Sequence, residues 1–74
     1  MGVTIARDWF KTVEEFRQVC LDAVSLARSE RAQEFAQEKL RDANRIGLDT
    51  VLSDRQLAWL CSLADIVPPL KITP

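Results

Sequence analysis

The sequence contains no histidine, and with it go the commonest general base, the commonest neutral metal ligand and the usual pH switch. Cysteine is scarce: Cys20 and Cys61 are the two present, where a secreted scaffold of this size carries roughly four to eight. Far apart in sequence and without histidine, they make no zinc site. Two buried thiols in a reducing cytoplasm are expected, with a Cys20–Cys61 disulfide as the alternative. No apolar run approaches the ~18 residues of a membrane span. The N-terminal Met-Gly-Val-Thr-Ile-Ala-Arg-Asp meets an acid before a signal-peptide core could form. Ala6 stands where myristoylation wants Ser or Thr. An excess of one charge is also missing, with Lys plus Arg at 10, Asp plus Glu at 11 and a net charge of −1, so nothing pulls the chain toward phosphate or anionic lipid. No glycine-rich loop is present to cradle a phosphate. These absences together predict a cytoplasmic protein with no cofactor, no bound metal, no membrane attachment and no enzymatic activity.

What is present fits one small domain. Seventy-four residues hide only about 60% of the surface that the unfolded chain exposes, so the core is thin. Apolar residues at 47% and charged residues at 28% are ordinary globular usage rather than a disordered tail. Glycine occurs at Gly2 and Gly47 and proline at Pro68, Pro69 and Pro74, leaving Thr12 to Ile46 free of the two strongest breakers. That stretch is rich in good helix formers. Thr12-Val13-Glu14-Glu15 reads as a capping box, and Phe16, Val19, Cys20, Ala23, Val24 and Ala27 recur at helical spacing. Ala32, Phe35, Ala36, Leu40, Ala43 and Ile46 form a second apolar stripe within an arc of about 140°. Gly47 supplies a residue that tolerates a left-handed end.

On one straight rod these two stripes would be centred about 160° apart, and opposite faces cannot both bury against one core. The chain therefore bends near Ala27–Glu30 with Ser29 capping a new helix, or a second copy covers one face of an unbroken rod. Farther on, Ser53-Asp54-Arg55-Gln56 is a second capping box, with Leu52 and Leu57 placed to staple the entry. The polar stripe of the helix that follows is only Arg55, Ser62 and Asp65, with Ala58 among them, so it is a central or a docking element. The reading is an all-α, three-helix domain spanning 1–74, with helices at about 12–28, 30–46 and 53–66 and extended ends. Phe16, Cys20, Phe35, Leu40, Leu57, Leu60 and Ala64 are expected in its core.

Glu34, Glu38 and Asp42 align at spacing four, but no Glu-x-x-His motif accompanies them, which leaves a solvated acidic ridge rather than a di-metal site. Cys20 and Cys61 sit in apolar stripes without a histidine to activate them. Arg28, Arg31, Lys39, Arg41 and Arg45 are the alternative nucleic-acid contacts; they alternate with acids and spread round the second helix, which favours a solvated face. The surplus is apolar: Trp9, Trp59, Leu63, Ile66, Val67, Leu70 and Ile72 exceed what the small core can comfortably bury. Trp9, Trp59, Leu63, Ile66 and Val67 are accordingly the candidate surface for a protein partner or a homodimer contact.

The segment Leu52-Ser53-Asp54-Arg55-Gln56-Leu57-Ala58-Trp59-Leu60-Cys61-Ser62-Leu63-Ala64 resembles a Leu-Ser-x-x-Gln-x-x-Trp-Leu-x-x-Leu-Ala pattern of small accessory proteins of phages and mobile elements. It covers under a fifth of the chain. The resemblance implies a small modulator that grips a host protein, as anti-CRISPR proteins and phage-encoded polymerase inhibitors do, and it carries over no individual site residue.

Overall fold

The computed structural model describes residues 2–67. In chain order it forms strand β1 (Val3–Ile5), helix α1 (Val13–Leu26), helix α2 (Glu30–Ile46), strand β2 (Val51–Ser53) and helix α3 (Asp54–Leu63). Tight 3-10 turns at Ala6–Asp8 and Gly47–Asp49 follow β1 and α2. The structure is 71% helical with a small two-stranded sheet, so the all-α expectation is corrected to a mainly helical domain. Strands β1 and β2 pair antiparallel, Thr4 opposite Leu52 with both side chains buried. Bonds from Ala6 N–H to Thr50 C=O (2.9 Å) and from Asp54 N–H to Gly2 C=O (3.0 Å) continue the ladder at each end. The β-branched residues Val3, Thr4, Ile5, Thr50 and Val51 suit extended backbone.

Each helix starts on a side-chain cap. Thr12 Oγ1 accepts from Glu15 N–H at 3.2 Å, while the Glu15 carboxylate accepts from Lys11 N–H rather than from Thr12. Ser29 Oγ accepts from Ala32 N–H at 3.1 Å. At α3 the capping box is complete, Ser53 Oγ accepting from Gln56 N–H and Gln56 Oε1 from Ser53 N–H.

The unbroken rod is excluded, because Ala27 and Ser29 are both extended. No glycine is needed at this break. Gln33, on the first turns of α2, donates its side-chain amide to the carbonyls of Val24 (2.6 Å) and Ala27 (3.2 Å). It thereby satisfies acceptors that the end of α1 leaves open. At the other end of α2, Gly47 has φ +60°, and a Cβ there would stand 3.2 Å from Val13 Cγ2, so both backbone and space favour glycine.

Helix α3 ends at Leu63, short of the expected 66 and before the proline pair is reached. Asp65 takes φ 58°, Ile66 N–H returns to Cys61 C=O (3.0 Å) and Asp65 N–H to Ser62 C=O (3.1 Å), which is a Schellman end. The core gathers Phe16, Cys20, Ala23, Phe35, Leu52, Leu57, Leu60, Cys61 and Ala64. Of the expected core residues Leu40 alone is half-buried, packed against this cluster. Leu70 and Ile72 lie outside the described residues.

Candidate functional site

The outer side of α3 carries one share of the exposed apolar surface, Val3, Leu21, Ile46 and Val51 being exposed on β1, α1, α2 and β2. Its buried face is Leu57, Leu60, Cys61 and Ala64, which turns Ala58, Trp59 and Ser62 outward. Trp59 remains 37% exposed although its ring stacks on Phe35 of α2, centroids 4.3 Å apart and planes 13° from parallel. Beyond the helix Ile66 is 38% and Val67 86% exposed.

Three depressions run edge to edge across this side. The first lies between Leu26, Arg28, Ala32, Trp59 and Leu63 and reaches Ser62. The second shares Ser62 and continues past Ala58 and Asp65 to Ile66 and Val67. Ile66 and Val67 also wall the third, a groove of about 510 Å³ floored by Phe10 and Val19 and rimmed by Glu14, Glu15 and Gln18. The surface thus runs from a basic end at Arg28 to an acidic end at Glu14 and Glu15.

Trp59, Ile66 and Val67, singled out from the sequence, are exposed on this surface, while Leu63 borders it half-buried against the core. Trp9 is not part of it. It packs half-buried on the core, and its indole N–H donates to Thr4 Oγ1 at 2.7 Å, so it anchors the N-terminal segment. Phe10 and Val19 were not anticipated as surface residues; both are buried in the core, Val19 by the α1 stripe, and the groove meets them from outside.

The basic set is divided rather than joined. Arg28, Arg31 and Arg41 are exposed. Arg45 is paired with Asp42 at 3.3 Å. Lys39 is 7% exposed, its Nζ 3.8 Å from Asp42 Oδ2 and 5.8 Å from the centroid of the Phe35 ring, so it cannot reach a nucleic acid. The sequence held the signal: Lys39 is four residues after Phe35 and three after Ala36, in the middle of the apolar stripe of α2.

Both thiols are free and buried. Burial pushes the Cys20 thiol up to about 12, with the Lys39 cation opposing and the Asp42 carboxylate adding to the rise. Burial raises Cys61 as well. Neither presents a thiolate at neutral pH. Among the described residues no three His, Cys, Asp or Glu side chains gather where a metal ion could be held, and no helix is long and apolar enough to cross a membrane.

No protein-family model, curated protein or solved structure matches the chain.

Proposed function

We propose that this protein has no chemistry of its own and acts by binding another protein through the outer side of α3. The observation that carries the reading is the set of exposed apolar residues Trp59, Ile66 and Val67, with half-buried Leu63, along depressions that meet at Ser62 and at Ile66 and Val67. Aromatic anchors beside shallow apolar hollows are where interface energy concentrates. Self-association as a homodimer belongs to the same reading. The resemblance over residues 52–64 suggests the setting, a phage-type modulator or inhibitor of a host system in the cytoplasm, anti-CRISPR proteins being the type.

Affinity capture with tagged protein tests it when paired with variants. Ile66→Asp combined with Val67→Asp changes exposed side chains only, and it is expected to abolish capture of the partner. Arg31→Glu with Arg41→Glu is expected to leave capture intact. Salt separates this from nucleic-acid recognition, because phosphate contacts weaken steeply with ionic strength and an apolar interface does not. Tight, steeply salt-dependent binding of DNA or RNA lost on Arg31→Glu would overturn the reading.

A further inference from the structure

We infer that the polar stripe of α3 is a self-complementary seam, and that its occupant is α3 of a second copy lying antiparallel across it. This seam rests on the reading of α3 as a docking surface and deepens it. Arg55, Ala58 and Ser62 lie along one side of α3 at spacings of three and four, and Asp65, in the left-handed turn just past the helix, borders the same depression as Ala58 and Ser62; all four are exposed. The spacing is symmetric about position 60. When two such helices cross antiparallel at that level, Arg55 of each copy stands level with Asp65 of the other, and Ala58 with Ser62.

Each part has a consequence. Alanine facing serine at the centre removes the bulk that keeps helix axes apart, so the pair can approach at the low end of the usual 8–10 Å. Arg55 and Asp65 make no ion pair among the described residues. They stand at opposite ends of α3, whose ten residues rise about 15 Å, so they cannot satisfy one another within a chain, and the twofold supplies two opposite-charge contacts at once. A parallel pairing would instead set Arg55 against Arg55. Charges of this kind fix orientation and register more than they raise affinity, while the flanking Trp59 and Ile66 supply apolar area. A contact in which residue i meets j and j meets i is the isologous interface of a closed dimer. The groove floored by Phe10 and Val19 stays open beside the seam for a foreign partner.

Sedimentation equilibrium over a range of micromolar concentrations tests the seam, with helix content followed by circular dichroism. The native chain should show a reversible species of twice 8.4 kDa. Arg55→Glu alone and Asp65→Lys alone should each weaken it at least tenfold, since each sets like charges opposite. Mixed one to one, the two variants should recover a dimer at least tenfold tighter than either forms alone. In that mixed pair the introduced glutamate faces the introduced lysine, and the native Arg55 and Asp65 still meet at the other end. Asp65→Asn keeps the left-handed turn and removes only charge, and should weaken the dimer less than Asp65→Lys. Ala58→Glu should abolish it. A chain that stays at 8.4 kDa, or a dimer indifferent to both charge variants and their mixture, overturns the inference. A monomer whose capture of a partner still depends on Ile66 and Val67 sinks the seam and leaves the proposed function standing. A charge-dependent dimer with no such capture upholds the seam and sinks the foreign partner.

Discussion

The Cys20 thiol is enclosed in the core near Lys39 and Asp42 and is held protonated to about pH 12, whereas an unburied thiol ionises near 9. Between those values the unfolded chain has released a proton that the folded chain retains, so the unfolded state binds fewer protons and stability falls as pH rises. Below about pH 8 this contribution is fully present and constant. Urea unfolding at about pH 8 and about pH 10.5 should therefore show a lower midpoint at the higher value, with a slope of at most about 1.4 kcal/mol per pH unit for each thiol. Cys20→Ala should remove part of that slope, and Cys61, shifted in the same direction by burial, should account for the remainder. An unchanged slope in Cys20→Ala would mean the thiol ionises freely in the fold. Lys39 teaches the complementary lesson. Its charge suggested a solvated position, but its helical angle puts it among Phe35, Ala36 and Ala43, and the angle prevails because Asp42 and the Phe35 ring receive the ammonium.

The helices were legible because their starts are written as local chemistry. Thr12, Ser29 and Ser53 cap as their side chains allow, and each apolar stripe fixes which face turns inward. The sheet was not legible: a three-residue strand has too few positions to show alternation, and Leu52, read as the staple of α3, serves also as the inward residue of β2. The helix ends were hidden for a related reason, since their partners are set by the fold. Gln33 closes α1 from the neighbouring helix, and Gln33→Ala should destabilise the protein by about 1–2 kcal/mol, because it strips the carbonyls of Val24 and Ala27 of a donor. Chemical denaturation checks this; a loss within error would show that water replaces the amide at no cost. Asp65 ends α3 in a left-handed conformation that glycine adopts without the Cβ penalty. Asp65→Gly is therefore expected to stabilise the fold by about 0.5–1 kcal/mol, read as a rise in the thermal midpoint at fixed protein concentration. A fall would mean that the aspartate side chain makes a contact worth more than the strain.

At the scale of the whole molecule, one thin core has to hold three helices and a two-stranded sheet together, and some of the apolar side chains left over from it make the candidate surface. The sequence showed the surplus of apolar side chains but not its distribution, because Trp9 and Trp59 look equivalent until the fold hands one an indole acceptor and leaves the other at the surface. Leu60 stands at the opposite extreme, fully buried in a cluster to which both strands' neighbourhoods and all three helices contribute. Truncating it removes transfer energy and leaves a cavity that a close-packed interior closes only in part, a combined cost of about 2–5 kcal/mol. At about 0.05–0.15 kcal/mol per residue, a chain of this length has roughly 4–11 kcal/mol of stability to lose. Leu60→Ala should therefore remove a large share of it, lowering the urea midpoint steeply while the slope of the transition, set by the area exposed on unfolding, stays near that of the native chain. A loss under about 1 kcal/mol would be too small for a closed core at that site. A marked change in slope would point to a loosened native state or a loss of two-state behaviour in place of a simple cavity.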